Sequence, residues 1–200
     1  MDNGVEPAGP NDWRRLGMVV GSAFAEDAVS RWSLGDAPMI VATFTMLARH
    51  VYLRRGRCYM IGDTAGAMWL DVGASKALPL LPTGLLAARM ILRSPRSIAR
   101  ALALDAAMQA RRPAAPHRYL FAVGVAEAAR GQGFGRLLLA PMLADCDQHG
   151  IAAYLENSNP RNASLYQSLG FVAGEAFSPP GCPPLMPMWR EPGDRASSQG

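Results

Sequence analysis

The stretch EAARGQGFGRLL, residues 127–138, places glycines at positions 131, 133 and 135 and then runs directly into a series of leucines. Glycine is the residue that most readily takes a positive φ or lets the backbone approach another molecule closely. A helix that begins just after such a loop presents unpaired amides and the positive end of its dipole, and both favour phosphate groups. The stretch therefore predicts a loop that binds a phosphorylated ligand.

The segments on either side of this loop alternate between strand and helix patterns. The stretch RYLFAVGV predicts a buried strand before the loop, and a helix is expected to follow from about Phe134 to His149. After it come the strand IAAYLE, a short helix from Asn162 to Leu169 and the strand FVAGEAF. This alternation predicts an α/β unit in the second half of the chain.

The first half of the chain is expected to be mostly helical. Apolar spacing predicts one helix over residues 12–25 and a second over residues 38–54. The segments RCYMIGD and AGAMWLDV predict a hairpin with a turn at residues 63–66. Residues 79–112 predict two further helices, with Ser94 as the cap and Pro95 at the start of the second.

Composition limits the class of protein. The chain has 200 residues, half of them hydrophobic, which suits one domain over residues 11–190 between loose tails at 1–10 and 191–200. The net charge of +4 comes without a basic run of the kind that binds nucleic acid, and attraction for an anionic small molecule explains this charge equally well.

Cysteine usage and the N-terminus predict the compartment. The three cysteines have no partners at metal-ligand spacing, so we expect no metal and no disulfide framework. The polar N-terminus and the lack of a long apolar run predict a cytoplasmic protein that neither is exported nor spans a membrane.

Three phosphate-loop patterns can be compared with the glycines. A P-loop requires a lysine after its last glycine, and this chain has none there. A dinucleotide loop requires GxGxxG, but Arg136 stands where the third glycine belongs. The pattern Arg/Gln-x-x-Gly-x-Gly/Ala on a strand-to-helix turn is satisfied by Arg130, Gly133 and Gly135.

Four consecutive segments resemble the core of the GNAT superfamily of acyl-CoA N-acyltransferases. They are YLFAVGV, ARGQGFG, AAYLEN and NPRNASLYQSLGF. The resemblance covers residues 117–177 and implies an acetyl-CoA-binding core there, with residues 73–115 as a variable helical region near the acceptor. It also implies an α/β fold whose mixed, mostly antiparallel central sheet is splayed at the cofactor site, with helices on both faces. The segment SAFAEDAVSRW is similar to the first helix of members close to puromycin N-acetyltransferase.

The resemblance also implies which residues bind acetyl-CoA. The backbone of Val123 and Val125 would pair with the pantetheine arm, and Asn162 would hydrogen-bond that arm. Arg130 and Arg136 would add charge at the phosphates, where a solvated loop position is the alternative. The loop amides that would hold the pyrophosphate belong to Gly131, Gln132, Gly133, Phe134, Gly135 and Arg136.

The reaction implied is attack by an amine on a thioester, which needs three groups. The amide of Val125 would stabilise the oxyanion. Tyr166 matches the family's tyrosine that protonates the leaving thiolate, the alternative being a packed aromatic. Glu156 is the preferred base, ahead of Glu127, the alternative being a carboxylate that only caps a neighbour at the strand end. The acidic pair at positions 26 and 27 could line the acceptor site or be exposed.

The resulting hypothesis is an N-acetyltransferase that moves an acetyl group from acetyl-CoA to a small-molecule amine. Two other classes stay open: a non-catalytic acyl-CoA-binding or regulatory domain, and a membrane-surface protein using the arginines of residues 79–112. The amine is not specified, because the apolar residues that could line its pocket are more often core residues. These candidates are Met39, Phe44, Met68, Trp69 and Met90. The oligomeric state is also open, with a homodimer among the options.

Overall fold

The chain forms one mixed sheet of seven strands in a computed structural model that describes residues 4–75 and 80–193. The strands are Glu6–Pro7 (β1), Cys58–Ile61 (β2), Ala65–Leu70 (β3), His117–Val125 (β4), Ala152–Asn157 (β5), Val172–Ala173 (β6) and Met186–Arg190 (β7). Their order is β1-β2-β3-β4-β5-β7-β6. Neighbouring strands are antiparallel except for β4 and β5, which run parallel. The sheet is therefore mostly antiparallel, as predicted.

Helices cover both faces of this sheet. They are Trp13–Ala23 (α1), Ala28–Leu34 (α2), Ala37–Leu47 (α3), Leu53–Arg55 (α4), Leu80–Arg93 (α5), Pro95–Arg111 (α6), Phe134–His149 (α7) and Ala163–Ser168 (α8). On one face, Leu16 and Phe44 of α1 and α3 share an apolar cluster with Tyr119 of β4. On the other, Leu138 and Tyr166 of α7 and α8 belong to a second cluster. The two faces together confirm the predicted α/β architecture.

Several helix predictions need correction. The helix expected over residues 38–54 is interrupted by a π-helical turn, Ala48–Tyr52. The short helix α2 was not predicted, although Asp27 caps it by accepting a hydrogen bond from the Ser30 amide at 2.8 Å. Pro95 does begin α6 behind Ser94, but the Ser94 side chain makes no capping hydrogen bond.

The ends of the chain also differ from expectation. Residues 1–10 were predicted as a loose tail, but Glu6 and Pro7 pair with β2 at the edge of the sheet. Of the strand expected from FVAGEAF, only Val172–Ala173 pairs with β7, and Phe177 forms an isolated bridge. Most of the predicted C-terminal tail, residues 194–200, lies outside the described residues, as do residues 76–79 of the predicted acceptor region.

Within residues 4–75 and 80–193, no helix combines the length and apolar character needed to cross a bilayer. No group of three or more His, Cys, Asp or Glu side chains in those ranges could hold a metal ion. Leu85 of α5 and Leu102 of α6 are more than half exposed. The membrane-surface class therefore stays an untested alternative.

Candidate active site

The sheet opens between its two parallel strands. Pairing of β4 with β5 runs from His117–Ala152 to Leu120–Leu155, where the described ladder ends. In the same place the register of β4 against β3 shifts, so that Phe121 is an extra residue between the partners of Met68 and Trp69. A bulge of this kind bends and twists a strand. Beyond it, β4 presents a backbone edge without a β5 partner.

A cavity of about 570 Å³ fills this opening. Eleven of the twelve residues predicted for the site lie in its wall: Val123, Val125, Arg130, Gly131, Gly133, Phe134, Gly135, Arg136, Glu156, Asn162 and Tyr166. Gln132 is the exception. Its side chain is exposed and its amide nitrogen lies 3.4 Å from the carbonyl oxygen of Ala128.

The glycine-rich loop has the backbone geometry that its sequence predicts. Gly131 and Gly133 have φ values of +78° and +82°, and Gly133 is the residue that caps the start of α7. An added Cβ at either position would meet no described atom within 4 Å, so the space beside them is open. Gly135 differs, because its Cβ would lie 3.2 Å from Leu165 of α8. Two glycines thus shape the loop and the third lets α8 approach α7.

The cavity wall beside the glycine-rich loop is basic. It holds Arg130, Arg136 and Arg161 together with the first turn of α7. The first amides of a helix have no intrahelical acceptor, and its N-terminus carries partial positive charge. The side chain of Arg136 donates to the Ser168 hydroxyl, whereas Arg130 makes only contacts at 3.5 Å to two carbonyl oxygens. This part of the wall therefore offers amide donors and cationic side chains to an anion.

Tyr166 of α8 lies in the wall of the same cavity and is itself buried. The residue is 6% exposed and its ring packs edge-on against Phe171, with centroids 6.0 Å apart. Burial raises the pKa of the Tyr166 phenol well above its ordinary value, so the hydroxyl is protonated at neutral pH. Within the described part of the chain, this hydroxyl has no hydrogen-bond partner. It is free to donate to a ligand.

Glu156 on β5 is held by a residue that sequence reasoning missed. The Tyr119 hydroxyl donates to Oε2 of Glu156 at 2.6 Å. Burial, with the Glu156 charge as a further cause, raises the pKa of Tyr119, which keeps that donor protonated. Tyr119 and Tyr154 are partners across the parallel strands. The alternation along the two strand sequences was the signal for this contact, because it places positions 154 and 156 on the same face of the sheet.

The two proposed catalytic side chains come from opposite faces of the sheet. Tyr154 and Tyr119 belong to the cluster under α1 and α3, and Glu156 bonds to that cluster. Tyr166 belongs to the cluster under α7. A closed sheet would separate the two faces. Because β4 and β5 diverge, both Glu156 and Tyr166 line a single cavity.

The other acidic candidates differ in position. Glu127 is exposed and is not among the residues of the cavity wall. Glu26 and Asp27 do lie in the wall, but Glu26 pairs with Arg31. Asp27 caps α2 and accepts a hydrogen bond from the Ser158 hydroxyl at 2.7 Å. The apolar acceptor candidates are buried core residues: Met39, Phe44, Met68, Trp69 and Met90.

The sheet thus opens between two parallel strands, and the glycine-rich loop and the N-terminus of α7 lie at that opening. Comparisons with known proteins relate the chain to acetyltransferases. Residues 97–171 match the model of the acetyltransferase (GNAT) family. A histone acetyltransferase HPA2 and related acetyltransferase from Corynebacterium glutamicum has a similar structure, with a TM-score of 0.69 and 26% identity, over 96% of this chain and 97% of that one. Over residues 97–171 the chain resembles the GNAT family, and over nearly its whole length it shares the fold of the Corynebacterium glutamicum acetyltransferase.

Two further relatives define how far the similarity extends. Arylalkylamine N-acetyltransferase 2 from Aedes aegypti shares the fold, with a TM-score of 0.62 at 12% identity over 94% of this chain and 97% of that one. An uncharacterized N-acetyltransferase from Schizosaccharomyces pombe is 43% identical over 54 residues, which are 27% of this chain. The match spans 22% of the length of that curated relative.

Proposed function

We propose that this protein is an acetyl-CoA-dependent N-acetyltransferase whose acceptor is the amine of a small molecule. The observation that carries the proposal is the single cavity that joins a basic loop and helix N-terminus to Glu156 and Tyr166. Transfer of a group from an acyl-CoA requires two capacities, which are phosphate binding and acid–base chemistry. A cavity with only the first would suit a binding domain.

Acetyl-CoA would lie along the open edge of β4. Its pyrophosphate would accept hydrogen bonds from the amides of the loop and from the first turn of α7. Its pantetheine arm would pair with the backbone of Val123 and Val125, which line the cavity beyond the last β4–β5 pair. Asn162 at the start of α8 also lies in the wall and would hydrogen-bond this arm.

The acceptor amine would attack the thioester carbonyl carbon and form a C–N bond as the C–S bond breaks. Glu156 would take the proton that the ammonium or amine loses, and Tyr119 would hold this carboxylate in position through its 2.6 Å hydrogen bond. The Val125 amide would stabilise the oxyanion. Tyr166 would protonate the departing thiolate to give free CoA.

Free CoA is expected to raise the melting temperature of the protein, because a ligand that binds only the native state stabilises it by mass action. At a CoA concentration 100 times its Kd, the stabilisation would be about 2.7 kcal/mol. NAD is the control ligand, since it also carries a pyrophosphate but has no pantetheine arm. Differential scanning fluorimetry measures both. Equal shifts with CoA and NAD would contradict the proposed cofactor.

A panel of amines incubated with acetyl-CoA tests the reaction, with free thiol as the readout. We expect at least one small amine to be acetylated, and Glu156→Gln to reduce kcat for that amine by about 10²-fold to 10⁴-fold. Glu127→Gln is the matched control, because the same change is made at an exposed position outside the cavity wall. Transfer to a histone-tail peptide alone would contradict a small-molecule acceptor. CoA binding without any thiol release would favour the non-catalytic alternative.

A further inference from the structure

Helices α5 and α6 expose an unusual number of large apolar side chains. Eight such side chains are exposed over the described residues, and five of them lie between positions 80 and 102. A surface helix of a globular protein normally turns its apolar stripe towards the core, and contiguous exposed apolar patches mark interaction sites. The two helices therefore carry a surface that the described fold leaves uncovered. The five side chains are Leu80, Leu85, Ile91, Leu92 and Leu102.

Two leucines of α5 define one face of that helix. Leu85 is 69% exposed and Leu92 is 85% exposed. Their separation in the sequence is about two helical turns, so both side chains lie on the same side of the helix. Met90, by contrast, is the only described side chain of α5 that is buried. Replacing the two leucines should therefore leave the packing of α5 intact.

Two arginines lie beside these leucines. Arg89 follows Leu85 by four positions and precedes Leu92 by three, a spacing that puts the three side chains on one face. Arg96 lies in the first turn of α6. Both arginines are exposed, and neither forms an ion pair or a hydrogen bond with any residue that the structure describes. We call these two leucines and two arginines the outer face of α5 and α6.

The sequence around the outer face supplies positive charge and no acid. Residues 72–104 contain five basic residues but no Asp or Glu. Arg93 pairs with Asp36, which caps α3, at 2.9 Å. The guanidinium of Arg100 lies over the ring of Trp32, 5.3 Å from its centroid. The positive charge of the outer face is therefore not neutralised from within its own segment.

An occupant of the outer face has to suit both its apolar and its charged side chains. Nucleic acid would neutralise the arginines but leave the leucines in water. A second copy of the chain would set the same patch against itself in a two-fold interface, so that arginines would meet arginines. A bilayer surface with anionic phospholipids suits both, because leucines enter the boundary between headgroups and acyl chains while arginines pair with phosphates.

The length of α5 determines how it would lie on a bilayer. Its 14 residues extend about 21 Å, and the hydrocarbon core of a bilayer is about 30 Å thick. The arginines of the outer face also require polar surroundings. The helix would therefore lie in the plane of the interface, as other amphipathic helices do.

We propose that the outer face of α5 and α6 binds the surface of a phospholipid bilayer that contains anionic lipids. Leu85 and Leu92 would enter the boundary between headgroups and acyl chains, and Arg89 and Arg96 would contact the lipid phosphates. The proposal does not depend on acetyl transfer, because none of these four residues lines the candidate active site. It would bring that site close to a membrane surface.

Co-sedimentation of the full chain with vesicles tests the outer face. Vesicles of phosphatidylglycerol and phosphatidylcholine in equal amounts are compared at low salt with vesicles of phosphatidylcholine alone. Each arginine near an anionic surface contributes about fivefold to binding, so the mixed vesicles should be bound about 25-fold more tightly. Raising the salt concentration should reduce this preference, because salt screens exposed charges.

Leu85→Ser combined with Leu92→Ser should weaken binding to the mixed vesicles by at least about 10-fold, because apolar area is no longer buried. Val172→Ser is the matched control, since this side chain is 71% exposed and lies on β6. It should bind like the wild type. The melting temperatures of all these variants should stay close to that of the wild type, which excludes a folding defect.

Arg89→Gln combined with Arg96→Gln should bring the preference for the mixed vesicles close to one. Arg14→Gln combined with Arg54→Gln is the matched control, because it removes the same charge from exposed positions on α1 and α4. This control should keep most of the preference. Equal losses in the two double variants would show that overall charge, and not the outer face, attracts the vesicles.

Other results would also overturn the proposal. Wild-type protein that stays in the supernatant with the mixed vesicles would show that the outer face binds no such bilayer. Unchanged vesicle binding by the double leucine variant would place the contact on another surface. Sedimentation velocity without lipid adds a further test. A wild-type dimer that the leucine substitutions dissociate would make the outer face an interface between copies of the chain.

Discussion

Gly133→Val is expected to weaken CoA binding by at least about 100-fold. Gly133 caps α7 with a φ of +82°, a conformation that costs an ordinary residue about 1–2 kcal/mol and a β-branched residue more. Valine would pull the backbone towards negative φ and turn the first amides of α7 away from the pyrophosphate. Its side chain would also occupy the open space beside the loop. Isothermal titration with CoA measures the loss.

The matched control lies at the other end of the same helix. Gly150 ends α7 in the same left-handed region, with a φ of +66° and no described atom within 4 Å of an added Cβ. Gly150→Val therefore carries a similar backbone strain, but far from the loop. Both variants should lose stability on urea unfolding, and only Gly133→Val should lose CoA. Equal CoA affinity in the two variants would show that the loop does not bind the pyrophosphate.

Local chemistry is what made the loop and its helix predictable. Glycine spacing, the following leucines and the final glycine all act within a few residues, and α7 runs from Phe134 to His149 as expected. The missed helix α2 has a cap at Asp27, but its seven residues are too few for a helix to be stable alone. It depends on tertiary packing, with Val29 buried in a small cluster around Phe177. No sequence pattern within residues 28–34 indicates the packing of Val29 in this cluster.

The site was predictable only in part for the same reason. The wall residues came from a resemblance along one continuous stretch, residues 117–177, and that stretch does line the cavity. The hydrogen bond from Tyr119 to Glu156 joins residues 37 positions apart. It requires the parallel pairing of β4 with β5, which is not visible in the local sequence.

Tyr166→Phe is expected to reduce kcat by about 10²-fold, the lower end of the usual contribution of a general acid, because a thiolate is already a fair leaving group. The ring that packs against Phe171 is kept, so the fold should be unchanged. The Kd for CoA should stay within about twofold of wild type, since only a hydroxyl without a hydrogen-bond partner among the described residues is lost. Single-turnover kinetics is the measurement, so that product release does not hide the chemical step.

Tyr59→Phe is the matched control for Tyr166→Phe, because Tyr59 is half-buried on β2 and is not among the cavity residues. It should leave both kcat and the Kd for CoA unchanged. Burial raises the pKa of Tyr166, so the wild-type hydroxyl remains a proton donor through the neutral range, and the defect of Tyr166→Phe should be constant there. Single-turnover rates within about twofold of wild type would give Tyr166 a packing role. A parallel loss of CoA affinity would instead assign its hydroxyl to cofactor positioning.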